Sequence, residues 1–248
     1  MPDRRFGFVL PDDWQRIPLV DPEARDKAIK HFVDKQVPRT DQLARVRHEL
    51  RDEIRQQCER SAQIGGIVSA IFLKPINDVT LRANMTCYDV SRWMPQIPGV
   101  DPIRIMAHWV GDKPLEDSRP PIGPPATPPG TTPPEVPNLP DDLPQRGTSK
   151  SPLADAPWAK VEKFDILAYR RDVVAPASAY FGEAFTKFDQ LRVEYISWVP
   201  EFGLVQTAFG TPFPTGRDAW LQLFDAIIAS YRVPGSVPSS PSTTSEKE

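Results

Sequence analysis

The period of the apolar positions changes several times along the chain, and each change predicts an element. Phe6, Phe8 and Leu10 alternate with Gly7 and Val9, which predicts a short strand. Pro11-Asp12-Asp13 then turns the chain, and Trp14, Ile17 and Leu19 follow with side chains suited to docking on a core. Asp21-Pro22-Glu23 predicts a helix start, with a capping carboxylate, a proline at the first helical position and an acid near the positive dipole end. That helix should run to about Gln36 and stop before Pro38, with Ala28, Ile29, Phe32 and Val33 as its apolar stripe. A second helix is predicted from Thr40 to Gln63. Leu43, Val46, Leu50, Ile54 and Cys58 recur at steps of three and four and predict one buried face. Its other face interleaves Asp41, Glu49, Asp52, Glu53 and Glu59 with Arg45, Arg47, Arg51, Arg55 and Arg60, the pattern of a solvated face rather than a phosphate-binding strip. Gly65-Gly66 supplies the left-handed stop.

The next patterns are those of strands. Ile67 to Leu73 is almost wholly apolar, as in a strand buried on both faces, and Val79 to Cys87 alternates strictly, with Asn77-Asp78 suited to the connection. The apolar run Ile103 to Val110 predicts another strand. Further on, Val161 to Tyr169, Tyr180 to Phe188, Leu191 to Val199 and Leu204 to Phe209 predict four more, the last two joined by a Pro200-Glu201-Phe202-Gly203 turn. A last helix carries Trp220, Leu223, Phe224, Ile227, Ile228 and Tyr231 on one side and Arg217, Asp218, Gln222 and Asp225 on the other, ending at Pro234-Gly235.

Between these two sets the pattern vanishes. Of 30 prolines, 14 lie between Pro114 and Pro157, where paired prolines fix the backbone near polyproline II and remove amide donors. The chain therefore divides into a first half of a domain (1–112), a Pro-rich disordered insertion or linker (113–157), a second half (158–234) and a disordered tail (235–248). Neither half has enough helices to cover its own strands. The expected fold is α+β, one mostly antiparallel sheet shared by both halves and packed with helices; two independent domains are the alternative.

Composition narrows the function classes. With 30 basic and 33 acidic residues the net charge is −3, which argues against a general nucleic-acid or anionic-membrane binder. No apolar run approaches a membrane span, and the first residues lack a signal-peptide core, so a cytoplasmic location is expected. Cys58 and Cys87 cannot build a disulfide framework; they are expected to be reduced and buried, with a single bridge as the alternative.

Both ends of the chain carry a resemblance. Phe8-Val9-Leu10-Pro11-Asp12-Asp13-Trp14 resembles the opening of PsbP-like folds. Their closing strand, Thr/Pro turn and helix resemble Val205 to Pro212 followed by Leu223 to Arg232. The whole chain also resembles actinobacterial proteins in which two such ends bracket a variable middle. The resemblance implies a PsbP-like α/β/α sandwich acting as a noncatalytic binding or assembly module. The Pro-rich insertion and the charged second helix depart from that pattern.

Catalytic chemistry leaves no signature. The chain has no nucleophile elbow, P-loop or dinucleotide fingerprint, and His31, His48 and His108 lie at no metal-ligand spacing, so no catalytic, cofactor or metal residue is assigned. Asp12-Asp13, Asp141-Asp142 and Glu201 read as loop acids, and Arg170-Arg171-Asp172 as a solvated strand end. Trp109-Val110-Gly111 matches the W-x-G of type VII secretion substrates only superficially, since no Tyr is followed by an acid four positions on and Trp109 closes a predicted strand. Trp93, Trp109, Trp158 and Trp198 are the candidate interaction residues, because Trp anchors interfaces more than other side chains do, with core filling as the more ordinary role of each. The leading expectation is a noncatalytic cytosolic protein-interaction or assembly module with a protein partner. The alternative is a small-molecule binder or enzyme with a pocket between sheet and helices.

Overall fold

The computed structural model describes residues 6–76, 79–91, 101–111, 152–161, 166–177 and 188–232. Among these, seven strands form one antiparallel sheet: β1 (Trp14–Pro18), β2 (Gly66–Ile76), β3 (Val79–Asp89), β4 (Ala159–Val161), β5 (Leu167–Pro176), β6 (Asp189–Val199) and β7 (Gly203–Thr211). Four α-helices accompany it: α1 (Pro22–Gln36), α2 (Ala44–Gln63), α3 (Pro102–Trp109) and α4 (Arg217–Ala229). The spatial order is β1-β2-β3-β7-β6-β5-β4. The α+β expectation therefore holds, and the sheet takes strands from both sides of the Pro-rich stretch, with β3 against β7 at the junction.

Helix α1 starts as its sequence dictates: Asp21 accepts the amides of Glu23 and Ala24 at 2.9 and 3.2 Å, with Pro22 opening the helix. Its buried Ile29, Phe32 and Val33 close over Ile17 and Leu19. Helix α2, reached through a 3-10 turn at Asp41–Leu43, departs from expectation, because Cys58 is its only fully buried residue and Val46 is 47% exposed. The apolar stripe meets the core from Leu50 through Ile54 to Cys58, while the first turns, with Val46, extend past it. The face read as solvated does part of the docking instead: Arg51 pairs with Asp34, Arg55 with Asp26 at 3.1 Å, and Glu59 with Arg25 at 3.5 Å, all across to α1. Gly65, at φ 88, ends the run, and a Cβ on Gly66 would meet the Ser61 carbonyl oxygen at 2.6 Å.

Two strand predictions are corrected. The opening strand is Trp14–Pro18 rather than Phe6–Leu10. The earlier segment makes only a bridge in which Gly7 and Arg232 exchange backbone hydrogen bonds of 2.8 and 2.9 Å, and Phe6 and Phe8 pack on Tyr231. Trp14 and Ile17 are both buried, a spacing of three that hides the strand period. The run from Ile103 to Val110 belongs to helix α3, where Asp101 accepts the Ile103 amide at 2.9 Å and Pro102 opens the helix. This is the Asp-Pro start already present at Asp21-Pro22, and a short apolar run cannot by itself separate strand from buried helix. His108 and Trp109 thus lie on a helix, and the strand-based ground for setting aside Trp109-Val110-Gly111 falls.

The run Val161 to Tyr169 is split between β4 and β5, with 162–165 outside the described residues. So are most of Tyr180 to Phe188, the Asn77-Asp78 connection, Asp141-Asp142, the Pro-rich stretch from 112 to 151, and the tail from 233. Within the expected insertion, Pro152–Asp155 forms a 3-10 turn with Leu153 buried. The Pro200-Glu201-Phe202 turn joins β6 to β7 as expected, with Glu201 at φ 65 and Gly203 at φ 119.

Alternation divides the sheet into two faces. Ala83, Met85, Cys87, Val193, Tyr195, Val205 and Phe209 form one apolar face with Leu221, Phe224, Ile227 and Ile228 of α4. Both cysteines are free and buried, and burial pushes each thiol up to about 11. Helix α4 stops at Ala229, before the expected Pro234-Gly235, and Asp225 does not face solvent as predicted. It lies on the side of Leu221 and Ile228 and accepts hydrogen bonds from Tyr195 at 2.6 Å and from one Arg170 nitrogen at 3.0 and 2.9 Å. Burial and the Asp225 carboxylate raise the Tyr195 hydroxyl above its ordinary value. Asp172 extends the network, holding Arg217 at 2.7 Å.

Replacing Asp225 with Ala should cost about 2–3 kcal/mol in urea unfolding, because it strands the donors of fully buried Tyr195 and half-buried Arg170, whereas Tyr195→Phe should cost about 1 kcal/mol. In the folded protein at pH 8 neither thiol should react with Ellman's reagent, and both should react on unfolding. Prompt reaction of Cys87 in the native state would contradict the core described.

Candidate interaction site

The opposite face of the sheet changes character along its length. Cross-strand pairs between β5 and β6 run from Leu167 against Trp198, through Tyr169 against Ile196, to Arg171 against Glu194. The first two pairs belong to an apolar cluster that includes Val90, Leu204 and the α3 residues Ile105 and Met106, with Tyr88, Val110 and Trp158 packed against it. Helix α3 therefore seals the apolar end, and its last turn leads through Val110 to Gly111, at φ 77, where the described chain breaks off.

The chain resumes at Pro152 on the same face, and Arg171 fastens it there. This guanidinium donates to the Glu194 carboxylate through Nε and Nη2 at 3.0 and 2.6 Å, and to the Ala154 carbonyl through Nη1 at 3.2 Å. Its Cζ lies 4.5 Å from the Trp158 ring centroid. Arg171 and Glu194 are directly opposed across the ladder and their side chains are only 18% and 17% exposed, so the pair is shielded from much of the solvent screening that weakens surface ion pairs. Both ends of the Pro-rich stretch are thus tied to one apolar cluster, Val110 on the way out and Trp158 on the way back.

Of the four tryptophans singled out from the sequence, Trp158 and Trp198 meet in this cluster. Trp109 is the final residue of the helix that covers it. Trp93 lies outside the described residues. No family model, curated protein or solved structure matches this chain.

The residues that hold the site together escaped the sequence reading. Arg170 and Arg171 read there as one solvated strand end, yet strand alternation sends them to opposite faces, Arg170 to Asp225 of α4 and Arg171 to Glu194. The available signal was a charged residue on each of two adjacent apolar strands, at positions that become neighbours once the register is known. The histidines are dispersed: His31, His48 and His108 are all exposed on separate helices, with His48 3.2 Å from Asp52. Among the described residues no group of His, Cys, Asp and Glu side chains is placed to hold a metal ion.

Arg171→Ala should cost about 1–3 kcal/mol of stability, since it leaves Glu194 without its partner in a half-buried setting. It should also raise amide exchange across 152–161 specifically. Arg171→Lys keeps a charge for Glu194 and should cost less stability than the Ala variant. It should still raise exchange across 152–161 in the same way, because an ammonium cannot hold Glu194, the Ala154 carbonyl and the Trp158 ring together. Unchanged exchange in that segment would show that Arg171 does not tie it down.

Proposed function

We propose that the protein is a noncatalytic cytosolic interaction or assembly module whose folded sheet displays the Pro-rich stretch to a protein partner. The observation that carries this reading is the anchoring of both flanks of the stretch, Val110 and Trp158, in one apolar cluster, with Arg171 gripping the returning chain. Holding both flanks on one face of the sheet keeps the two ends of the stretch together, which suits its recognition by a partner. Its paired prolines at 120–121, 124–125, 128–129 and 133–134 suit a partner with an aromatic-lined groove of the kind that reads polyproline II. The resemblance of the chain ends to PsbP-like folds agrees with an assembly role. Helices α1 to α3 on one face and α4 on the other are the layering that such a sandwich requires. No described helix is long and apolar enough to cross a membrane.

A second reading, a small-molecule binder with a pocket between sheet and helix, draws support from a pocket where α1 meets the first two strands.

The test compares the full chain with one in which residues 115–150 are replaced by a short Gly/Ser linker, which leaves Ala154 and Trp158 in place. Titrated against a panel of polyproline-reading domains, the full chain and a peptide spanning 115–135 should bind at least one with micromolar affinity, and the shortened chain should bind none while unfolding at an unchanged temperature. Silence of the full chain across the panel would remove the polyproline reading.

A further inference from the structure

At one corner of the sheet, away from the anchored cluster, a pocket of about 240 Å³ opens between the Asp12-Asp13 turn, the end of α1 and β2. It is smaller than the roughly 300–1,000 Å³ that drug-sized ligands occupy, so its occupant would be a small metabolite. Trp14 and Phe32, 7% and 5% exposed, and the half-buried Leu73 give the pocket an apolar lining. The remaining lining holds two carboxylates and two ammonium groups beside the uncharged Gln15, Gln36 and Pro75. Lys74 is already engaged by Asp13 at 2.8 Å, whereas Asp12 and Lys35 form no ion pair among the described residues. The last turn of α1 ends here too, and its carbonyl end carries partial negative charge that favours a cation.

One carboxylate and one ammonium, each without an ion-pair partner beside an apolar lining, describe the complement of a small zwitterion with an apolar side chain. We infer that this pocket binds a free α-amino acid with an apolar side chain: Asp12 and the α1 carbonyl end meet its ammonium, Lys35 meets its carboxylate, and Trp14, Phe32 and Leu73 take the side chain. The site uses no residue of the Pro-rich stretch or its anchor, so it stands or falls independently of the interaction reading.

The test is an amide-shift titration of the full chain with L-leucine, L-leucine methyl ester and N-acetyl-L-leucine, up to about 10 mM. Leucine should produce saturable shifts confined to Asp12–Gln15, Lys35–Gln36 and Leu73–Lys74. Each derivative lacks one charge and should bind about tenfold more weakly, because one pocket charge loses its partner. Asp12→Asn and Lys35→Gln change exposed side chains that hold no other element, so both should fold normally and each should weaken leucine by a similar factor. The inference is overturned by shifts that do not saturate, by equal binding of the three ligands, or by binding that survives both substitutions.

Discussion

The structure depends on one ladder, the antiparallel pairing of β3 with β7. Cys87 and Thr207, partners in that ladder, lie 120 positions apart in sequence, so forming it closes a loop that includes the whole Pro-rich stretch. What offsets the closure entropy is visible on either side. Met85 opposes Phe209 with both side chains fully buried, and Phe209 stacks on Phe224 of α4 at 4.1 Å between ring centroids. Tyr231, just past that helix, reaches Thr207 at 2.7 Å and Cys87 at 3.2 Å, so strand, strand and helix end meet in one fully buried polar contact. Without this ladder the first three strands and the last four would be separate sheets, each with a long open edge.

From the closed sheet the rest follows. The true edges are short: β1 has five residues and ends at Pro18, which cannot donate a ladder hydrogen bond, and β4 has three. The polar residues are distributed by face. Arg170, Tyr195 and Asp225 lock α4 to one side, while Arg171 and Glu194 on the other hold the chain that returns from the Pro-rich stretch. Adjacent residues of one strand thus serve two purposes, Arg170 fixing the core helix and Arg171 fixing the chain at Ala154 and Trp158. Long insertions cost little extra closure entropy once their ends are held, which suits a body that carries such a segment without being destabilised by it.

Much of this was legible in the residues. The Asp21-Pro22 helix start, the continuous apolar run of β2, the alternation of β3 and the β6–β7 turn each rest on a local pattern, and each came out as read. What was hidden depends on register or on tertiary packing. Ile103 to Val110 is short and apolar enough to fit either element, and only the cap at Asp101 separates them. Asp225 looks like an outer-face acid until Tyr195 and Arg170 are set opposite it, and the stripe of α2 gives no hint that the helix extends past the core. The anchor was invisible for the same reason, because Arg171 and Glu194 are 23 positions apart and become neighbours only through the β5–β6 register.

Native-state hydrogen exchange tests most directly the claim that both halves form one cooperative body around the β3–β7 ladder. The account predicts that the amides of Met85, Cys87, Thr207 and Phe209 exchange only through global unfolding, with one common free energy shared by the core amides of β2 and β6. Two distinct free energies, one for the strands before the Pro-rich stretch and another for those after it, would contradict it.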